Sequence, residues 1–201
     1  MPVKIGINGF GRIARHFYRA VAKQGADMEI VAVNDLGDTA TMAHLLKYDS
    51  VLGNLDNEIN AVDDGIEIDG QLLRVLSERN PQDLPWGDLG VDVVIESTGI
   101  FTDREKAAMH IEAGAPLVIV SAPANGADAT FVVGVNDSDF DKAEHTVISN
   151  ASCTTNCFVP MVQVLDDAFG VEKGLMTTVH AYTGDQSLVD GPHGDLRRAR
   201  A

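Results

Sequence analysis

The start of the chain combines a strand, a glycine-rich turn, a helix and a second strand in an order that few folds accommodate. Residues 3–8 alternate into an apolar strand, and Gly9-Phe10-Gly11-Arg12-Ile13-Ala14 precedes a helical pattern that Gly25 closes. In a turn of the form G-x-G-x-x-A, the glycines permit a tight bend and let a pyrophosphate approach the backbone at the helix N-terminus. We therefore predict a dinucleotide-binding βαβ unit.

An acidic residue follows the second strand. This strand, residues 29–34, ends at Asp35. A carboxylate there can accept hydrogen bonds from a ribose diol and repels a 2′-phosphate, which favours NAD over NADP as the cofactor. A plain β–α turn followed by a solvated acid is the alternative, but the complete order of elements favours the dinucleotide site.

Four further apolar segments predict strands that alternate with helices. They cover residues 91–96, 117–121, 130–134 and 146–149. A hairpin with strands at 66–68 and 72–76, turned at Asp69-Gly70, comes before them. Thr102 and Glu105 have the spacing of a capping box for the helix that follows. The alternation predicts an α/β fold with a doubly wound, Rossmann-type, mostly parallel sheet.

A cysteine follows the last of these strands. Cys153 lies between small hydroxyl-bearing residues and the apolar stretch 158–169, so we expect a helix that begins at or near the thiol. The helix dipole and unpaired N–H groups lower the pKa of a thiol in that position, and the thiolate is the nucleophile. His180, in a predicted strand over 175–182, is a candidate base. A structural histidine is the alternative.

Charge and cysteine content exclude several classes of function. The chain has 15 Lys+Arg against 30 Asp+Glu, a net charge of -15, which disfavours nucleic acid or an acidic membrane as a partner. Its two cysteines, Cys153 and Cys157, match neither a redox nor a zinc motif, so we expect free thiols and no metal site. Neither a membrane span nor a signal peptide is predicted, so we expect a cytoplasmic protein.

Six stretches together resemble phosphorylating glyceraldehyde-3-phosphate dehydrogenase, over essentially the whole chain. They are residues 7–13, Tyr48-Asp49-Ser50, Trp86-Gly87, Glu96-Ser97-Thr98-Gly99, residues 149–157 and residues 177–181. The resemblance implies an NAD-binding domain over residues 1–151 and the beginning of an α+β catalytic domain over 152–201. It also implies a homotetramer in the cytoplasm and a catalytic domain that continues beyond Ala201, so we expect negligible dehydrogenase activity from these 201 residues alone.

The resemblance implies a reaction and roles for individual residues. Cys153 attacks glyceraldehyde 3-phosphate to form a thiohemiacetal, His180 acts as the base, and inorganic phosphate releases 1,3-bisphosphoglycerate from the resulting thioester, a step of glycolysis and gluconeogenesis. The residues that match the family's cofactor site are Gly9, Gly11, Arg12, Ile13, Asp35, Arg79, Thr98 and Ser121. Those that match substrate and phosphate positions are Ser152, Thr154, Thr183 and Asp185.

The resemblance leaves some alternatives open. Ala14 replaces a glycine that is common in the family, which affects helix–strand packing but should still permit binding. Cys157 has no catalytic role in this interpretation, and we expect it to be buried under the first cysteine. A relative that uses erythrose 4-phosphate or NADP, a nucleotide-binding module without chemistry, and a cysteine hydrolase are the competing hypotheses. The hydrolase leaves the glycine-rich turn and Asp35 unexplained.

Overall fold

A computed structural model describes residues 1–188 and 191–197. The chain divides into two compact units, Met1–Val164 and Leu165–Ala201, and each is described separately. These units reflect how the residues pack, so they do not test the predicted NAD-binding domain over 1–151 and catalytic domain over 152–201. That division stays a prediction.

A nine-stranded, mostly parallel sheet organises the first unit. The strands are β1 Val3–Asn8, β2 Met28–Asn34, β3 Ile59–Val62, β4 Gly65–Ile68, β5 Gln71–Leu76, β6 Val93–Glu96, β7 Val118–Val120, β8 Ala129–Thr130 and β9 Val147–Ser149. Their spatial order is β3-β4-β5-β2-β1-β6-β7-β9-β8, and only the β3-β4-β5 pairs are antiparallel. The predicted doubly wound, Rossmann-type sheet is confirmed.

In the described part of the chain, five α-helices connect or follow the strands. They are α1 Arg12–Gln24, α2 Thr39–Lys47, α3 Arg104–Ala107, α4 Met109–Glu112 and α5 Cys153–Phe169. Gly25 ends α1 in the left-handed region, as the sequence predicts. Asp38 begins α2 by accepting hydrogen bonds from the Ala40 and Thr41 amides. The predicted capping box is wrong, because Asp103 rather than Thr102 precedes α3 and no side chain caps it.

Apolar side chains cover both faces of the sheet. Ile5 and Ile7 of β1 pack in one core cluster, while Trp86 lies in a second cluster beneath the intervening Gly6. A Cβ atom at Gly6 would come within 2.8 Å of the Trp86 ring, so the glycine makes room for the indole. Both faces are thus closed, as a parallel sheet requires.

The antiparallel edge differs from the prediction by one strand. The hairpin of β4 and β5 turns at Asp69 and Gly70, which both have positive φ angles, as predicted. A third strand, β3, pairs with β4 and was missed because its exposed residues lack clear alternation. The predicted strand 130–134 shortens to β8, since only two residues pair with β9.

The second unit contains no described strand. The predicted strand over 175–182 is wrong: these residues have no regular secondary structure and are exposed. A strand is stabilised by a hydrogen-bonded neighbour, and no described strand pairs with this stretch. A 3₁₀ turn, Gly184–Gln186, follows it.

A buried arginine fixes α1 against the end of α2. Arg19 is 7% exposed, and its guanidinium donates hydrogen bonds to the carbonyl oxygens of Leu46, Lys47 and Gly53 at 2.6–3.1 Å. Carbonyl groups at a helix C-terminus have no partner within the helix, so a cation there satisfies them and matches the helix dipole.

Replacing Arg19 with alanine should lower the free energy of unfolding by about 2–4 kcal/mol, because buried carbonyl groups lose charged donors. Urea denaturation followed by circular dichroism measures the change. The matched substitution at exposed Arg74 on β5 should alter stability by less than about 0.5 kcal/mol. Equal effects at the two positions would show that the hydrogen bonds of Arg19 contribute little.

Candidate functional site

The strand order places a crevice at the carboxyl ends of β1 and β6. From β1 the chain proceeds to β2 and β5 on one side, and from β6 to β7 and β9 on the other. Ligands of open α/β sheets bind where the order reverses in this way. Residues that directly follow these strands therefore line the candidate site.

Gly9, which follows β1, lies against the backbone of Thr98, which lies just after β6. Its φ angle is +88°, and a Cβ atom there would come within 2.7 Å of the Thr98 backbone nitrogen. No side chain fits at this position. Gly11 is different, because a Cβ atom there would meet nothing within 4 Å. Packing within the protein therefore does not explain the absence of a side chain at Gly11.

The N-terminus of α1 faces this crevice. Arg12 and Ile13 are its first two residues, both are exposed, and the cap residue Gly11 supplies no side-chain hydrogen bond. Uncapped N–H groups at a helix N-terminus bind anions, with support from the helix dipole. Ala14 is fully buried in the core, so its methyl group is accommodated between helix and sheet.

Asp35 supports the glycine-rich turn from the end of β2. One carboxylate oxygen accepts a hydrogen bond from the Phe10 amide at 2.8 Å, and the other accepts one from the Gly37 amide at 2.8 Å. Since a carboxylate can accept about four hydrogen bonds, further acceptor positions remain for a ligand. The contact with Phe10 is a structural role that the sequence did not predict.

Three other predicted cofactor residues lie at the same edge of the sheet. Arg79 is exposed in the loop after β5, next to Glu78, whose backbone exchanges hydrogen bonds of 2.7 and 2.8 Å with the Asn34 side chain. Thr98 follows β6. Ser121 follows β7, and its amide donates to the Glu96 carbonyl oxygen at 2.9 Å. All eight predicted cofactor residues are thus placed at this edge.

A buried polar network beneath the crevice was missed by the sequence analysis. The Glu96 carboxylate accepts hydrogen bonds from the Asn8 side chain at 2.6 Å, from His110 at 2.9 Å, and from the Thr98 amide and hydroxyl. His110 in turn accepts one from the Trp86 indole at 3.0 Å. A polar residue at the buried end of an apolar strand, as at Asn8 and Glu96, was the available signal.

Arg12 forms an ion pair that orders the loop after α2. Its guanidinium lies 3.1 Å from Asp49, which His16 also contacts at 3.3 Å. Hydrogen bonds from the Leu52 and Val51 amides, followed by those of His16 and the charge of Arg12, outweigh desolvation and hold the pKa of Asp49 well below its usual range.

Cys153 is the first residue of α5, as predicted, and it is exposed. The Ser152 hydroxyl accepts a hydrogen bond from the Thr155 amide at 3.0 Å, and the preceding Ala151 has a φ angle of +59°. This left-handed conformation, unusual for alanine, turns the chain from β9 into α5.

Thr154 is half-buried. Cys157 is exposed, so its predicted burial is wrong; α5 contains no buried residue.

The second unit holds the remaining predicted residues. His180 is exposed, and its Nδ1 lies within hydrogen-bond distance of the Ala181 carbonyl oxygen. Thr183 caps the 3₁₀ turn, and its amide donates to the Gln186 side chain at 2.7 Å. Asp185 is exposed within that turn. Both candidate substrate residues, Thr183 and Asp185, therefore belong to a polar turn.

Neither a membrane-spanning helix nor a cluster of metal-binding side chains occurs in the part of the chain that the structure describes. Among residues 1–188 and 191–197, no helix has the length and apolar character needed to cross a membrane. Within the same ranges, no three His, Cys, Asp or Glu side chains are arranged to hold a metal ion.

Comparison with protein-family models decides the family. Residues 3–104 match the NAD binding domain of glyceraldehyde 3-phosphate dehydrogenase, and residues 152–201 match its C-terminal domain. The chain belongs to the glyceraldehyde 3-phosphate dehydrogenase family. NAD is the cofactor of the family domain that contains the glycine-rich turn and Asp35.

Individual relatives agree with the family models. The chain is 64% identical to glyceraldehyde-3-phosphate dehydrogenase of Streptomyces coelicolor and 57% identical to that of Geobacillus stearothermophilus, in each case over 201 residues. The Mycolicibacterium smegmatis enzyme is 59% identical over 208 residues. Each alignment covers the whole of this chain, which spans 60–61% of the length of these relatives.

Gly9 and Gly11 of the glycine-rich turn should respond differently to substitution by alanine. Gly9→Ala should lower the free energy of unfolding by about 2–4 kcal/mol, because the new methyl group would clash with the Thr98 backbone and the φ angle at residue 9 is positive. Gly11→Ala should change stability by less than about 1 kcal/mol but weaken NAD binding about tenfold or more, because the methyl group blocks approach to the helix N-terminus.

Urea denaturation and calorimetric titration with NAD separate the two effects. Unchanged NAD affinity in a folded Gly11→Ala variant would contradict binding at this turn.

Asp128 fixes the start of β9, which leads to Cys153. It accepts hydrogen bonds from Arg104 at 2.6 Å, from the Thr146 and Val147 amides at 2.8 and 2.9 Å, and from the Thr146 hydroxyl at 3.0 Å. Burial alone raises the pKa of Asp128, but these hydrogen bonds outweigh it and hold the pKa well below the usual 3.8.

Because the folded state lowers this pKa, the stabilisation is present above about pH 4 and disappears as the pH falls through the folded-state value. Asp128→Asn should therefore be less stable than the parent chain by about 1–2 kcal/mol at pH 7, with a smaller difference below pH 4. Thermal or urea unfolding between pH 3 and 7 tests this, with exposed Asp139→Asn as the control. A difference that stays constant over that range would contradict the ionic role.

Proposed function

We propose that the chain binds NAD in the crevice between β1 and β6 and provides the nucleophile for oxidative phosphorylation of glyceraldehyde 3-phosphate. The observation that carries the proposal is the uncapped N-terminus of α1 behind Gly11, where packing gives no reason for the absence of a side chain. The family match over both domains supports the substrate and the reaction.

In this proposal the cofactor residues have distinct tasks. The backbone N–H groups of Arg12 and Ile13 bind the pyrophosphate, and Gly9 and Gly11 allow it to approach. Asp35 accepts hydrogen bonds from the adenosine ribose through the acceptor positions that Phe10 and Gly37 leave open. Lining residues complete the cofactor site: Arg79, Thr98 and Ser121. Bound NAD supplies the hydride acceptor.

Cys153 forms the covalent bond to the substrate. Its thiolate attacks the aldehyde carbon, and the resulting thiohemiacetal becomes a thioester on loss of hydride. His180 accepts the proton that the hydroxyl group of the thiohemiacetal releases. Inorganic phosphate then attacks the thioester and restores the thiolate. The substrate and phosphate are held by Ser152, Thr154, Thr183 and Asp185.

Three properties of the natural protein complete the proposal. It works in glycolysis and gluconeogenesis, assembles as a homotetramer and is located in the cytoplasm. The names of the relatives give the enzyme, glyceraldehyde-3-phosphate dehydrogenase, and its substrate is the basis for the proposed pathway. The acidic composition, with a net charge of -15, is consistent with a small-molecule substrate rather than nucleic acid.

Cofactor preference tests the nucleotide half of the proposal. The chain should bind NAD more tightly than NADP. Asp35→Ala should lower NAD affinity about tenfold or more, because the ribose loses its hydrogen-bond acceptor. It should also reduce the difference between the NAD and NADP affinities, because the 2′-phosphate is no longer repelled by a carboxylate. Isothermal titration calorimetry measures both cofactors. Exposed Asp63→Ala on the β3–β4 turn is the control. A chain that binds neither cofactor would contradict the proposal.

Thiol reactivity tests the chemical half. Cys153 should react with iodoacetamide at a lower pH than Cys157, because Cys153 begins α5 and Cys157 lies one turn inside it. The variants Cys153→Ser and Cys157→Ser isolate each thiol for mass spectrometry. NAD binding combined with equal reactivity of both thiols would favour a nucleotide-binding module without chemistry.

A further inference from the structure

Residues 150–152 form a short turn that connects β9 to Cys153, the first residue of α5. The middle residue of this turn, Ala151, is 6% exposed and has a φ angle of +59°. This left-handed conformation is unfavourable for a residue that carries a Cβ atom, and it persists only where surrounding contacts hold it. The contacts on either side of Ala151 therefore decide how firmly Cys153 is placed.

Hydrogen bonds hold the strand side of this turn to the sheet. The Asn150 amide donates to the Val120 carbonyl oxygen at 2.9 Å, which continues the pairing of β9 with β7. The Ser149 hydroxyl accepts a hydrogen bond from the Ala151 amide at 3.0 Å and donates one to the Ala122 carbonyl oxygen at 2.7 Å. The turn thus starts from a fixed point at the carboxyl edge of the sheet.

The side chain of Asn156 holds the helix side of the turn. Its amide nitrogen donates to the carbonyl oxygens of Asn150 at 2.8 Å and Ser152 at 2.9 Å, the two residues that flank Ala151. Since both partners can only accept, the nitrogen rather than the oxygen of the amide group must face the turn. Asn156 lies in the first turn of α5, so this contact joins the helix to the fixed end of β9.

The position of Cys153 depends on this connection. The helix dipole and the unpaired N–H groups act on a thiol only within the first turn of a helix. If the turn before α5 loosened, the helix would unwind from its N-terminus and Cys153 would leave that field. Because β9 is parallel to β7, the connection also keeps the thiol near the sheet edge at which Ser121 and the other cofactor residues lie.

We propose that Asn156 is a positioning residue for the nucleophile, because its amide group holds the left-handed turn that places Cys153 at the N-terminus of α5. Asn156 acts through Cys153 and not on the substrate. This inference rests on the proposed role of Cys153 as the nucleophile.

The rate at which iodoacetamide alkylates Cys153, measured by mass spectrometry as a function of pH, tests this role. In Asn156→Ala the rate at Cys153 should fall roughly three- to tenfold near neutral pH, and its rise should move to higher pH, because the thiolate loses stabilisation by the helix N-terminus. The rate at Cys157, one turn inside α5, should change by less than about twofold and serves as the internal reference.

Gln163→Ala is the matched control, because it removes a side-chain amide from α5 well beyond its first turn. Alanine favours a helix more than asparagine or glutamine does, so a role limited to the stability of α5 predicts no fall in the rate at Cys153. Asn156 is exposed, so its replacement should leave the chain folded, and circular dichroism establishes this for each variant.

Ala151→Gly provides a second variant that tests the turn itself. Glycine adopts a positive φ angle without the penalty of a Cβ atom, so the turn needs less support from Asn156. The double variant Ala151→Gly/Asn156→Ala should therefore recover at least about half of the lost rate at Cys153. Ala151→Gly alone should change that rate by less than about twofold.

The outcomes separate this inference from the proposed function. Equal rates at Cys153 and Cys157 in the parent chain at every pH would contradict the proposed nucleophile itself, and the role of Asn156 with it. A faster Cys153 in the parent chain, with the same rate in folded Asn156→Ala, would overturn the role of Asn156 alone. An equal fall in Gln163→Ala, or no recovery in the double variant, would overturn it as well.

Discussion

The close approach of β1 and β6 is the constraint on which the candidate site depends. Just after β1, residue 9 has a positive φ angle and no space for a side chain beside the Thr98 backbone. This glycine lets the chain turn sharply out of the sheet and begin α1 at the crevice. The position of the anion-binding helix N-terminus therefore follows from a steric contact within the protein.

Hydrogen bonds from side chains hold the strand ends around this contact. Asp35 fixes the turn through the Phe10 amide, and Asn34 fixes the loop that carries Arg79. Glu96 ties Asn8 of β1 to Thr98 after β6. Each interaction joins segments that are distant in sequence, so the crevice has a defined width before any ligand binds, and little ordering is left to oppose binding.

The sequence predicted the features that local chemistry determines. The glycine-rich turn, the Asp69-Gly70 hairpin and the start of α5 at Cys153 each rest on a few neighbouring residues, and all three are confirmed. It did not predict β3 or the Glu96 network, because these depend on partners many residues away. The prediction of a strand over 175–182 was wrong for the same reason: its residues alternate, but no strand that could pair with it is among the described residues.

The central claim is that NAD binds at the glycine-rich turn, and the backbone amides report on it directly. In a titration of the ¹⁵N-labelled chain with NAD, followed by nuclear magnetic resonance, we expect the largest shifts at Gly11, Arg12 and Ile13, with smaller ones at Asp35 and Thr98. Saturation with NAD that leaves the amides of Gly11, Arg12 and Ile13 unchanged, or shifts confined to another face of the sheet, would contradict the account.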